Sequence, residues 1–214
     1  MEEHCELCSE PIPPAHQHLL DMSSRELTCT CRACALLFDR RAASEGRYRL
    51  VPDRRLRIED FELDDGVWES LRIPVEMAFF LHWTEADRMM AFYPSPMGAT
   101  ECLLELRAWE DLVTANPVLR DMEPDVETLL VNRARGAREY YLAPIDDCFD
   151  LVGLIRTNWR GLGGGREVWK EIDGFFERLA GRSRRAARDG TVHRKRPPEA
   201  EVSGEREETV WLTT

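Results

Sequence analysis

Long apolar runs are missing from this chain of 214 residues; the longest are Met77–Leu81 and the stretch near Leu151–Ile155. Both fall far short of the ~20 apolar residues that span a bilayer, so no membrane span is expected. The opening Met1-Glu2-Glu3-His4-Cys5 has neither a basic region nor an apolar run. No signal peptide is therefore read, and a cytoplasmic protein is expected. Lysine is nearly absent: of 29 basic residues only Lys170 and Lys195 are lysine. We read that skew as coding bias, without mechanism. Positive charge is also short, with 40 acids and a net charge of −11. Nucleic acid is held through phosphates by local positive fields, so a nucleic-acid partner is not expected. No Gly-Lys-Ser/Thr ending, no Gly-x-Ser-x-Gly elbow and no acid–base pair at recognisable spacing appears.

Against those absences stand 43% hydrophobic and 32% charged residues, enough for a packed core. Three regions differ in material. Residues 1–46 hold five of the seven cysteines and are too short to fold without a staple such as a metal. Residues 47–180 form the main body. Residues 181–214 run from a basic block, Arg182 to Arg196, through Pro197-Pro198 to an acidic block, and read as a disordered charged tail. Trp211 and Leu212 are its only large apolar side chains near the end, and would be its anchors on a partner.

In the body, strands are expected at Arg47–Val51, Ile73–Trp83, Met89–Tyr93, Glu101–Leu106, Val126–Val131 and Glu139–Ala143. Thr84–Asp87 reads as a hairpin turn. Short helices are expected after Asp64 or Asp65 and over Ala108–Ala115. Two longer helices close the body. The first runs from about Asp146 to Trp159, with Phe149, Val152, Ile155 and Trp159 on one face. The second covers Glu167–Leu179, with Val168, Ile172, Phe175, Phe176 and Leu179 apolar. Grouped strands followed by helices imply an α+β fold with an antiparallel sheet.

Cys5-Glu6-Leu7-Cys8 and Cys31-Arg32-Ala33-Cys34 are two Cys-x-x-Cys pairs. Two thiolates three residues apart on a tight turn can face one ion ~2.3 Å away, and two such knuckles complete a tetrahedron. One zinc per chain is expected at Cys5, Cys8, Cys31 and Cys34, with iron as the alternative ion. The intervening residues, Leu19 to Leu27, read as a hairpin, which gives a zinc-ribbon layout. Four protein ligands leave no open position, so the site reads as structural. Cys29 lies two residues before Cys31 and is an alternative ligand. His16 and His18 could also substitute, though loop histidines near the metal fit them better. Cys102 and Cys148 read as small core residues, and His82 as a satisfied sheet residue.

Pro94-Ser95-Pro96-Met97-Gly98-Ala99-Thr100 is a proline-braced loop that can either present groups to a partner or simply fix strand register. Arg133, Arg135 and Arg138 share one turn, and Arg156 precedes the Gly161–Gly165 run. Arginine suits interfaces, because its planar fork pairs with carboxylates and stacks on aromatics. A protein-binding surface joining Ser95 and Thr100 to Arg133, Arg135 and Arg156 is expected.

Several stretches resemble those of a known family: the two knuckles through Phe38, Tyr48–Asp53, Ala91–Glu101, Val131–Gly136, Leu151–Arg156 and Trp159–Gly161. They are similar to an uncharacterised actinobacterial family of unknown function, over about residues 4–180. Its genes lie beside those of nickel–iron hydrogenase subunits and an iron–sulfur scaffold protein. The resemblance implies an accessory or assembly protein of a hydrogenase system, with a hydrogenase subunit or co-encoded accessory protein as partner. It implies no catalytic residue, and a non-catalytic role is expected. The competing reading is a rubredoxin-like iron module for electron transfer. Against it, Ser9 and Ala35 stand where rubredoxin knuckles commonly carry glycine.

Overall fold

A computed structural model describes residues 3–104, 106–161 and 163–193. The first unit begins with β1 (Glu3–His4) and β2 (Pro11–Ile12), a hairpin enclosing the first Cys-x-x-Cys. Next come β3 (Gln17–Asp21) and β4 (Glu26–Thr30), paired antiparallel as the expected hairpin. The chain then passes through α1 (Arg32–Phe38) and the short α2 (Arg41–Ser44). Strand β5 (Tyr48–Leu50) returns to pair with β3, giving the order β4-β3-β5. The boundary expected after residue 46 is therefore one strand early, because β5 belongs to the first unit's sheet.

The body contains β6 (Leu56–Ile58), α3 (Asp65–Ser70), β7 (Met77–Trp83), β8 (Arg88–Ser95), β9 (Gly98–Cys102) and α4 (Leu106–Ala115). It continues with β10 (Glu127–Asn132), β11 (Glu139–Pro144), α5 (Ile145–Asn158), α6 (Gly165–Arg182) and β12 (Arg184–Ala186). Seven strands form one sheet in the order β12-β6-β11-β10-β7-β8-β9. Every pairing is antiparallel except that of β12 with β6. The fold is thus α+β, with a cysteine cluster near its N-terminus.

Helices cover both faces of the sheet, which explains why β7 reads as an unbroken apolar run rather than an alternation. Phe79 and Leu81 pack on one side with Leu130, Tyr141 and the buried stripes of α5 and α6. Ala78 and Phe80 pack on the other with Leu129, Val131, Leu142, Trp109 and Leu112. The α5 stripe is Cys148, Leu151, Val152 and Ile155, at helical spacing. Phe149 and Trp159, expected on that stripe, sit half-buried at its margin. In α6, Val168, Ile172, Phe175, Phe176 and Leu179 are all buried. Asp64 caps α3 by accepting the Val67 N–H at 2.7 Å.

The C-terminal expectation needs correction over residues 181–193. Residues Gly181 and Arg182 end α6, and β12 then joins the sheet edge with Ala186 fully buried. Backbone bonds from Arg184 N to Arg55 O (2.9 Å) and Glu59 N to Ala186 O (3.0 Å) hold it there. The remainder of the expected tail, including Trp211 and Leu212, lies outside the described residues.

A short connector fixes the first unit to the body. Arg49 donates to the fully buried Asp125 at 2.5 Å, and Arg54 pairs with Glu127. Arg55 donates to Asp147 at 2.6 Å, and His18 meets Asp146 at 3.1 Å. Leu20 of β3 and Val51 enter the same apolar cluster as α5 and α6. Arg25 lies over the Trp83 ring, 4.5 Å from its centroid.

Candidate metal centre

The first knuckle is a tight turn between β1 and β2. Cys5 N donates to Glu10 O and Ser9 N to Cys5 O, both at 2.8 Å. Closing that turn places Ser9 in the left-handed region at φ 61°, a conformation that glycine adopts more readily. The second knuckle is the start of α1. Cys31 is its N-cap, and its Sγ accepts the Cys34 N–H at 3.5 Å. The two knuckles are stitched together by Glu6 N to Cys29 O at 2.9 Å and Cys29 N to Glu6 Oε2 at 2.5 Å.

The ligand atoms of Cys5, Cys8, Cys31 and Cys34 lie within 4.8 Å of one another. Cys8 Sγ and Cys31 Sγ are 3.7 Å apart. A tetrahedron with metal–sulfur bonds of ~2.3 Å has edges of roughly 3.8 Å, so the spacing suits one ion. Cys5 and Cys34 are buried, and Ile12, Leu7 and Phe38 close around them. Burial opposes ionisation of Cys5, but backbone hydrogen bonds at Cys31, Leu7 and Cys8 prevail and bring its thiol down to about 6. Burial and the neighbouring cysteines push Cys34 up. Four sulfurs this close cannot all ionise without a cation between them. The donor set therefore fits a single thiophilic metal ion.

Cys29 is not in that set. It lies on β4 opposite His18, and its ligand atom falls within 4.8 Å of those of His16 and His18. From the sequence alone, Cys29 is an alternative ligand of the Cys₄ site, and His16 and His18 are loop histidines that could also substitute there. The hairpin register, which the sequence does not contain, brings the three together as a separate group.

Cys148 is fully buried with its Sγ 3.1 Å from Thr128 Oγ1, and Cys102 Sγ faces Ala91 O at 3.5 Å. Burial pushes both thiols up. His82 Nδ1 is buried without a hydrogen-bond partner. Ser95 Oγ donates to Gly98 O at 2.9 Å, accepts from Met97 N at 3.1 Å and lies 3.0 Å from Thr100 Oγ1. It braces the β8–β9 turn.

Of the arginines proposed for a surface, Arg133 is buried. Its guanidinium reaches Asp65 and the Asp64 carbonyl and lies over the Trp68 ring, so it anchors α3. Arg135 is exposed and pairs with Asp173 at 3.2 Å. Arg156 is exposed near the C-terminus of α5. Asn132 pairs with Met77, and Phe92 with Phe79, so the β10–β11 and β8–β9 turns lie at the same end of the sheet. At the β8–β9 turn, Met97 is 90% exposed.

Fold and site together define an α+β sheet protein carrying a docked N-terminal unit whose four clustered cysteines could hold a metal ion. The chain belongs to the family of unknown function DUF5947, which matches residues 4–183. No curated protein and no solved structure matches it. Among the described residues, no helix is long and apolar enough to cross a membrane.

Proposed function

We propose that the protein is a non-catalytic accessory protein whose Cys₄ site holds one structural zinc ion and whose body binds another protein. The observation that carries the structural role is the closed donor set: four sulfurs within 4.8 Å of one another, two of them on buried cysteines. The ion joins the β1–β2 turn to the start of α1, and so fixes the unit that carries the arginine connector. Ser95 spends its hydroxyl within its own turn. The binding surface is the end of the sheet where Met97, Ser95, Thr100 and Arg135 meet solvent, with Arg156 as an outlying member. Arg133 supports it from beneath by holding α3.

The partner is a subunit of a nickel–iron hydrogenase or a co-encoded accessory protein, in a cytoplasmic setting. That choice rests on the family resemblance and its gene neighbourhood. Affinity capture from the native host, with mass-spectrometric identification, tests it. The expected result is recovery of a hydrogenase subunit or accessory protein, weakened at least tenfold by Met97→Glu with Arg135→Glu. Capture unchanged by that pair of substitutions, or recovery of no such partner, overturns it. Arg133→Ala is the control: it should lower stability by about 2 kcal/mol, since it strips a hydrogen-bonded, stacked guanidinium from α3. A red chromophore in the purified chain would instead favour the iron electron-transfer reading.

A further inference from the structure

We propose a second metal site, separate from the Cys₄ centre, formed by His16, His18 and Cys29 and taking a borderline-soft divalent ion of the zinc class. Strand geometry builds it. His16 immediately precedes β3, and His18 lies two residues on, so their side chains leave the strand on one face. Cys29 stands directly across from His18 in the antiparallel pair, which puts its thiol on that same face. The ligand atoms of all three lie within 4.8 Å of one another. The two rings meet edge to face, with centroids 4.8 Å apart.

Hydrogen bonding fixes both imidazoles in the tautomer that a metal needs. His16 Nδ1 lies 3.0 Å from the Pro13 carbonyl oxygen, which can only accept, so Nδ1 carries the proton. His18 Nδ1 lies 3.1 Å from Asp146 Oδ2, a carboxylate that accepts in the same way. Each ring is left with a lone pair on Nε2. A carbonyl or carboxylate behind the ring is the usual support of a metal-bound histidine. The independent sign of a missing ligand is His16. Its side chain is 8% exposed, and its Nε2 is buried with no hydrogen-bond partner. A buried acceptor left unmatched is unfavourable, and a cation at this position would satisfy it.

The surroundings also favour a cation. Glu3 Oε2 is 3.5 Å from His16 Nδ1, and the Glu6 carboxylate accepts the Cys29 N–H. Two imidazoles with one thiolate match zinc and its neighbours better than calcium or magnesium. Three protein ligands leave a fourth position open, unlike the closed Cys₄ set. This ion is therefore the exchangeable one of the two.

The test is a cobalt(II) titration of the tag-free full chain with zinc already in its Cys₄ site, read by visible absorption and by metal analysis. The expected result is one further cobalt per chain, tetrahedral, with a thiolate-to-cobalt band of single-thiolate strength. Cys29→Ser should abolish that band, and His16→Gln should weaken cobalt binding at least tenfold, while both variants keep their Cys₄ zinc. Failure of the wild-type chain to take a further cobalt overturns the proposal. So does a further cobalt without the thiolate band, whether or not the variants fold. Unchanged binding by both folded variants overturns it as well.

Discussion

Asp21 shows how a single residue secures the first unit. It ends β3 almost fully buried, and accepts from Arg47 at 2.7 and 2.9 Å and from Ser23 N and Oγ at 2.9 and 2.6 Å. Burial alone would raise its carboxyl, but the Arg47 and Ser23 hydrogen bonds outweigh it and hold the group down at about 2. Because the folded value lies below the ordinary one, the stabilisation is complete above about pH 4. It is lost as the pH falls toward 2. We expect Asp21→Asn to cost about 2 kcal/mol at pH 7 and to converge on the wild type near pH 2. Denaturant unfolding of both proteins across that range checks this, and a difference independent of pH would contradict it. The clustering of the four cysteines was legible at the same scale, because Cys-x-x-Cys spacing is local and its geometry follows from one turn. Arg133 was not. Its neighbours Arg135 (φ 56°) and Gly136 (φ 82°) turn the chain through left-handed conformations, and the Arg133 side chain ends up packed beneath α3 rather than exposed.

At the scale of elements, β12 carries the clearest consequence. It lengthens the sheet past β6 by a parallel pairing, and Ala186 fills the apolar layer below. A chain ending at residue 183 should therefore be about 2–3 kcal/mol less stable than one ending at residue 193, from lost ladder bonds and the exposed edge. Equal denaturation midpoints for the two would contradict the role of β12. The segment reads as solvated tail because Arg184 and Arg185 flank the one buried residue, and three residues are too few for a period to show. Its place depends on β6, more than 120 residues earlier in the chain. The long helices were legible because their apolar periods run through several turns, and the β7–β8 hairpin because two apolar stretches flank the Thr84–Asp87 turn. The His16–His18–Cys29 group required the register of β3 on β4, which sequence spacing does not contain.

At the scale of the whole molecule, the cysteine-bearing first unit and the body share a core and a charged seam. Leu20 and Val51 pack with α5 and α6, while Arg49, Arg54 and Arg55 reach the buried carboxylates of Asp125, Glu127 and Asp147. Removing one partner of a buried pair leaves its charge uncompensated, which is far more costly than losing a surface pair. Loss of the Cys₄ ion should therefore loosen the seam as well as the knuckles. The most direct measurement is metal content together with thermal unfolding of the tag-free wild-type, Cys31→Ser and Cys29→Ser chains. The prediction is that the wild type and Cys29→Ser retain a tightly held zinc through chelator dialysis, whereas Cys31→Ser loses it and unfolds at a lower temperature. A wild-type chain that emerges metal-free with an unchanged unfolding temperature would contradict the structural role of the Cys₄ site.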